Sequence, residues 1–172
     1  MTTTSPAPSG RWLRALYIRN FIFGGEDSLV STVGLLSGIA AAGLTRGDIV
    51  LTGVVLIFVE ALSMAVGSFL AENSAEEYLT RREVPAQTAI KAGLIMFVSY
   101  FLLGFVPLAP YLMLSVTAAF PVSIGASLLA LWLLGYGSGE KFHVQARRSG
   151  LKMLVLGGLA IAIGIIVGRV VR

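Results

Sequence analysis

The chain contains five long apolar segments, and these constrain its fold more than any other feature of the sequence. A helix that crosses a lipid bilayer needs about 20 mostly apolar residues to span a hydrocarbon core about 30 Å thick. The segments that meet this requirement are residues 21–44, 49–71, 90–106, 111–134 and 151–171. The sequence therefore predicts an all-α, polytopic membrane protein with five transmembrane helices per subunit.

The composition excludes the soluble classes. Hydrophobic residues make up 56% of the 172 residues and charged residues only 13%, whereas about a quarter of the residues of a soluble domain are charged. A soluble enzyme, a nucleic-acid-binding protein and a disordered chain are all excluded on this ground. Without cysteine there is no disulfide framework and no thiolate metal site.

The connections between the predicted spans are too short to hold a soluble domain. They are residues 45–48, 72–89, 107–110 and 135–150. Pro107 and Pro110 are expected to end the third span and to form a tight turn into the fourth. Residues 1–20 are predicted to be a disordered tail followed by an interfacial helix, and residues 21–172 a five-helix transmembrane domain.

The basic residues predict the orientation of the chain, because cytoplasmic loops carry an excess of Lys and Arg. Ten of the 13 Lys and Arg residues flank the spans on the side of the N-terminus, and three lie on the opposite side. We therefore expect a cytoplasmic N-terminus and a C-terminus outside. Without a recognisable targeting peptide, and with short loops, we expect a prokaryotic plasma (inner) membrane.

Three carboxylic acids fall within the predicted spans: Glu26 and Asp27 in the first and Glu60 in the middle of the second. A charge at such depth costs at least ~2.5 kcal/mol, so it normally faces a partner, water or an ion path. No Lys or Arg lies in the interior of a span to neutralise these acids. The remaining ways to neutralise or solvate these acids are a proton, a bound cation or a hydrated vestibule.

The second span places sulfur and oxygen atoms at four-residue spacing, at Glu60, Met64, Ser68 and Glu72. A carboxylate with a thioether suits borderline transition metals, whereas Mg²⁺ and Ca²⁺ prefer oxygen ligands alone. Metal bound to buried acids competes with protons, which couples metal binding to proton release. Asp27 is expected at the same depth as Met64, because a short connection makes the two spans antiparallel neighbours.

Simpler interpretations of these residues stay open. Met64 alone is typical of packing or lipid contact, Glu26 of a headgroup-solvated acid, and Glu60 of a protonated carboxyl group shared between helices. Small-residue pairs at Gly34 and Gly38, and at Gly164 and Gly168, permit close helix approach, with a subunit contact as one option.

The motifs FIFGGEDSLVSTVGLLSGIAAAG and ALSMAVGSFLAENSAEE together resemble those of the vacuolar iron transporter family. The segment GFVPLAPYLM resembles the family's double-proline turn between spans three and four, and RSGLKMLVLGGLAIAIGIIVGRVV resembles its last helix. The resemblance implies a homodimer of five-helix subunits that exports cytosolic Fe²⁺, and often Mn²⁺, in exchange for protons. It implies that Asp27 and Met64 bind the metal, and no cofactor beyond the transported ion and the coupling protons.

Two departures from the family pattern concern acidic residues. The stretch after the Ser-Met motif reads Gly67-Ser68-Phe69, where the family often has an acid, and we hypothesise that Glu60 supplies it instead. The family's cytoplasmic metal-binding domain is reduced to residues 72–89. The acids of this loop form a candidate cytoplasmic mouth of the path, and they are Glu72, Glu76 and Glu83. The simpler interpretation is that they pair with Arg81 and Arg82.

The leading hypothesis is a divalent transition-metal transporter with Asp27, Met64, Glu60 and Glu26 at its metal site, a membrane lipid environment and no nucleic-acid partner. Two alternatives stay open, a non-transporting membrane anchor or assembly subunit and a proton-coupled exporter of small cations. The sequence contains no catalytic constellation, and its single His143 has no carboxylate company, so an enzyme is not expected.

Overall fold

Five α-helices make up almost all of the chain that the computed structural model describes, which is residues 10–81, 86–141 and 145–171. In chain order they are α1 (Gly10–Ala41), α2 (Arg46–Thr80), α3 (Gln87–Met113), α4 (Val116–Lys141) and α5 (Ala146–Val170). The predicted all-α fold class is confirmed. Residues 11–20, predicted as an interfacial helix, form the continuous first part of α1.

Helix α2 has well-defined ends that the sequence explains. Thr45 and Asp48 form a capping box, in which the Thr45 backbone N–H donates to Asp48 Oδ2 at 3.1 Å and the Asp48 N–H donates to Thr45 Oγ1 at 3.3 Å. At the other end Arg81 adopts a left-handed conformation with φ of 54°, which stops the helix. Glu72 and Glu76 therefore lie on α2 itself, and not in a separate loop.

The predicted turn at residues 107–110 is wrong. Helix α3 continues through Pro107 and Pro110 to Met113, and the chain turns at Leu114 and Ser115. Each proline removes one backbone N–H but has a φ compatible with a helix.

Two side chains bind backbone carbonyl groups in this part of α3. The Ser123 hydroxyl group donates to Pro107 O at 2.6 Å. The Arg46 guanidinium donates to Tyr111 O at 2.7 Å and to Leu112 O. The Arg46 bonds satisfy two of the last carbonyl groups of α3, where intrahelical partners run out.

Helices α1 and α3 together form the centre of the bundle. Helix α1 packs extensively against α3 and α5 and also contacts α2 and α4. Helix α3 packs against α2 as well and contacts α4, while α5 packs against α1 and α4. The antiparallel contact expected between α1 and α2 is present, although each shares more contact with α3 than with the other. One cluster of fully buried side chains lies where the ends of α1 and α3 meet the first parts of α2 and α4: Leu36, Ile49, Ile57, Leu108, Tyr111 and Ala119.

Glycine brings α1 and α5 into direct backbone contact. A Cβ atom built at Gly38 would lie 2.8 Å from Gly164 O, and one built at Gly164 would clash with Gly34 O. Gly168 meets Gly38 O in the same way. The two small-residue pairs thus face each other within one chain, which accounts for the spacing without a contact between subunits.

The outer surface of the bundle is apolar. Leu51, Leu62 and Leu102 are each at least 60% exposed, as lipid-facing side chains are expected to be. Four helices in the described part of the chain are long and apolar enough to span a membrane, α2 to α5. Helix α1, which carries Glu26 and Asp27, is not one of these four, so five spans remain a prediction. The protein is an integral membrane protein.

Candidate functional site

Two half-buried carboxyl groups from neighbouring helices lie within the range over which charges in a protein interact. They are Asp27 on α1 and Glu60 on α2. Arg19 near the start of α1 pairs with Glu72 near the end of α2, 53 residues later in the chain. These two positions therefore lie at the same level of the bundle. Counting eight residues along each helix from this ion pair leads to Asp27 on α1 and Met64 on α2.

A second pair gives a slightly different register. The Ser68 hydroxyl group donates to Asn20 Oδ1 at 2.6 Å. Counting seven residues along each helix from this pair leads to Asp27 and Ala61. The two registers together place Asp27 beside the helical turn that Glu60 begins and Met64 ends.

Helix α3 supplies a polar group next to the two carboxyl groups. The Tyr100 side chain is fully buried, and its hydroxyl group lies 2.8 Å from Ser31 Oγ on α1. The Tyr100 phenol lies within electrostatic range of both Asp27 and Glu60. One turn earlier on α1, the Ser28 hydroxyl group donates to the Tyr100 backbone carbonyl at 2.6 Å. These two bonds fix α3 against α1 at the level of Asp27.

Met64 lines a pocket of about 640 Å³ between the start of α1, the end of α2 and the middle part of α3. We call it the α1–α2–α3 pocket. Met96 of α3, which is 3% exposed, lines it too, so two thioethers face one space. The other polar side chains that line the pocket are Arg19, Asn20, Ser63, Ser68 and Glu72.

The predicted metal ligands are thus only partly gathered in one chain. Asp27 and Glu60 are close, Glu26 is the sequence neighbour of Asp27, and Met64 faces the pocket. Within residues 10–81, 86–141 and 145–171, no group of three or more His, Cys, Asp or Glu side chains is arranged to hold a metal ion.

The structure describes two of the three predicted cytoplasmic acids, Glu72 and Glu76, and places them in different surroundings. Glu72 pairs with Arg19 across the helices, whereas the sequence had suggested Arg81 and Arg82 as partners. The Glu76 backbone carbonyl accepts a hydrogen bond from Thr80 Oγ1 at 2.8 Å within α2. Glu83, Arg82 and His143 lie outside the described residues.

Sequence reasoning missed Tyr100 and Met96 at this site. Tyr100 stands within a predicted apolar span, where a phenol hydroxyl group requires a partner, and that signal was available. Met96 carried no signal, because a methionine in an apolar span is indistinguishable from packing filler until its neighbours are known.

The α1–α2–α3 pocket offers two kinds of donor atoms. Its lining includes the oxygen-bearing side chains of Asn20, Ser63, Ser68 and Glu72 and the two methionines Met64 and Met96, whereas Asp27 and Glu60 are not among its lining residues. Borderline divalent metals accept such a mixed set, whereas Mg²⁺ and Ca²⁺ gain nothing from sulfur.

Comparisons with known proteins identify relatives that align with most of this chain. The sequence profile of the VIT family matches residues 18–86 and 79–169, which together cover all five helices almost completely. The chain is 28% identical to vacuolar iron transporter homolog 3 of Arabidopsis thaliana over 166 residues, or 87% of this chain and 80% of that protein. It is 29% identical to homolog 4 of the same plant, over 94% of this chain and 85% of that protein.

A third relative is vacuolar iron transporter 1 of Arabidopsis thaliana, which is 21% identical over 90% of this chain and 86% of that protein. The similarity to these relatives thus extends over most of each chain. Their names refer to the vacuole, which gives no support to the plasma membrane expected from the sequence.

Proposed function

Because this chain belongs to the VIT family, we propose that it is a membrane transporter that exports divalent transition metal, Fe²⁺ or Mn²⁺, from the cytosol in exchange for protons. The relatives named as vacuolar iron transporters support metal as the cargo. The single observation that carries the mechanism is the approach of Asp27 and Glu60 across α1 and α2.

Two neighbouring carboxylates in a low-dielectric environment are costly when both are ionised. A divalent cation between them relieves their repulsion, and so does a proton on one of them. Metal and protons therefore compete for the same groups, and each ion that binds releases the other. This competition is the physical requirement for antiport.

We assign the roles as follows. Asp27 and Met64 bind the metal, and the deeper Glu60 alternates between the metal and a proton. Glu26 completes the metal shell or carries protons. Support for Met64 comes from its position in the α1–α2–α3 pocket, at one end of the turn that lies level with Asp27.

The functional unit in this proposal is a homodimer with cytoplasmic N-termini and the path between subunits. In a single chain Asp27, Glu60 and Met64 are only half-buried, so they are accessible to a partner or to ions from the surface of the bundle. A second copy would supply the same groups again and complete a site that one chain does not close.

The test is metal-dependent proton flux into or out of proteoliposomes, with Fe²⁺, Mn²⁺ and Mg²⁺ measured separately. We expect flux with Fe²⁺ or Mn²⁺, little flux with Mg²⁺, and little flux with any metal in Asp27→Asn. Glu140→Gln, which removes an exposed acid from α4, is the matched control and should transport like the wild type.

Flux of neither metal nor protons in folded wild-type protein would contradict the proposal and favour the membrane-anchor alternative. Proton flux driven by a small organic cation, and not by metal, would favour the cation-exporter alternative.

A further inference from the structure

The positively charged side chain of Arg19 lines the α1–α2–α3 pocket beside Glu72, and we call this part of the pocket its mouth. The Arg19 guanidinium pairs with the Glu72 carboxylate, and the exposed fractions of the two side chains are 67% and 13%. The acid is therefore largely enclosed, while its basic partner lies mostly in solvent. Of the two, Arg19 is the one that can move away freely.

The Glu72 carboxylate has further oxygen atoms beside it. Ser68 lies one turn away on the same face of α2, and its hydroxyl group is bonded to Asn20 Oδ1. Asn20 is 2% exposed and is held in place by a second bond, from its Nδ2 atom to Leu16 O at 2.9 Å. One carboxylate and two neutral oxygens thus line the mouth, and their positions are fixed by hydrogen bonds.

The thioethers lie deeper than this oxygen group. Met64 is eight residues from Glu72 along α2, which corresponds to about 12 Å. One ion therefore cannot contact both residues at once. The pocket contains two successive positions, an oxygen-lined mouth and a sulfur-lined interior that Met64 and Met96 share.

We infer that Glu72, Ser68 and Asn20 form the first binding site for the transported cation, and that the Arg19 guanidinium occupies this site until a divalent cation displaces it. The inference rests on the proposed metal transport for the identity of the cation. Because the Arg19 side chain already lies mostly in solvent, its guanidinium regains hydration readily when it leaves Glu72, and the arriving cation keeps the enclosed carboxylate paired. A divalent cation interacts with the carboxylate more strongly than a guanidinium of single charge does.

The same arrangement predicts where metal selectivity arises. Oxygen atoms alone accept Mg²⁺ and Mn²⁺ alike, so the mouth discriminates weakly among divalent cations. The thioethers further in favour borderline transition metals over Mg²⁺. The first site thus binds divalent cations in general, and the second site selects transition metals among them.

The experiment is a titration of the full-length protein in detergent with Mn²⁺, with free Mn²⁺ measured by electron paramagnetic resonance. Arg19→Gln should bind Mn²⁺ about tenfold more tightly than the wild type, equivalent to about 1.4 kcal/mol. Glu72→Gln should bind more weakly, and the double variant should resemble Glu72→Gln. Arg14→Gln, which removes an exposed charge earlier on α1, is the control and should change little.

Three outcomes would overturn the inference. Arg19→Gln could bind no more tightly than Arg14→Gln, which would make Arg19 a plain link between α1 and α2. The tightening could persist in the Glu72→Gln background, which would make it a long-range charge effect. Mn²⁺ binding could vanish in Asp27→Asn, which would place the measured ion at Asp27.

The outcome for transport is independent of this titration. If Arg19→Gln binds Mn²⁺ more tightly but the wild-type protein shows no metal-dependent proton flux, the cation site is retained and the proposed antiport is refuted. Flux that depends on Asp27, together with Mn²⁺ binding unaffected by Arg19, would do the reverse.

Discussion

The Tyr100 hydroxyl group lies 2.8 Å from Ser31 Oγ and connects α3 to α1 beside the acidic pair of Asp27 and Glu60. Because Tyr100 is fully buried, its phenol can exchange hydrogen bonds only with its immediate neighbours. It is therefore placed to hold α1 in position against α3 at the level of Asp27.

We expect Tyr100→Phe to reduce metal-dependent proton flux severalfold, because the carboxyl groups lose a fixed polar neighbour. The lost hydrogen bond should lower the free energy of unfolding by about 1 kcal/mol. Flux in proteoliposomes and thermal unfolding in detergent measure the two effects separately. Tyr78→Phe, at a position that is 83% exposed, should change neither. Normal flux in Tyr100→Phe would restrict Tyr100 to packing.

We expect Glu60→Gln to abolish transport while the protein still folds, because glutamine keeps the size of the side chain and removes its charge. Adding Ser68→Glu to this variant should restore part of the flux. The recovery should be incomplete, since the new acid lies one turn from Glu72 and displaces the Ser68 bond to Asn20. Full flux in Glu60→Gln alone would show that the family's missing acid is not replaced by Glu60.

We expect Gly164→Ala to destabilise the protein, because the added methyl group meets the Gly34 carbonyl across the α1–α5 contact. Overpacking of this kind costs about 1–3 kcal/mol. The matched control is Gly158→Ala on the same helix, where nothing lies within 4 Å of the added group. Unfolding in detergent should show a loss for the first variant and no loss for the second. Equal stability of the two variants would contradict the close contact.

We expect Arg46→Gln to loosen the end of α3, because the guanidinium binds the backbone carbonyls of Tyr111 and Leu112. The loss should be about 1 kcal/mol in the free energy of unfolding, with faster amide hydrogen exchange in the last turn of α3. Arg147→Gln, an exposed position on α5, is the control. Unchanged exchange at the end of α3 would indicate that the two prolines need no such support.

The sequence predicted the helical membrane fold from hydropathy, and the errors fell at helix ends. Pro107 and Pro110 look like a turn in a linear pattern, yet α3 passes through both. Each proline removes one backbone hydrogen bond and crowds the preceding turn, yet α3 continues, and Ser123 and Arg46 bind the nearby carbonyl groups of Pro107 and Tyr111 from elsewhere in the chain. Those partners could not be identified from the proline positions.

The site divides in the same way. Asp27 and Glu60 stood out in the sequence, because an acid within an apolar segment is costly wherever the helix packs. Met64 stood out through its four-residue spacing from Glu60. The partner of Glu72 did not, since Arg19 is 53 residues away in the chain. The same holds for Tyr100 and Ser31, which are 69 residues apart.

By itself the sequence determined that the chain is helical, lies in a membrane and carries acids in its interior. These properties follow from the transfer free energies of residues taken in order along the chain. Only the tertiary structure decided that the glycine pairs join α1 to α5, that Tyr100 lies beside two carboxyl groups, and that Arg19 covers Glu72. Such contacts depend on the packing of helices distant in sequence, which the local apolar pattern of each helix does not specify.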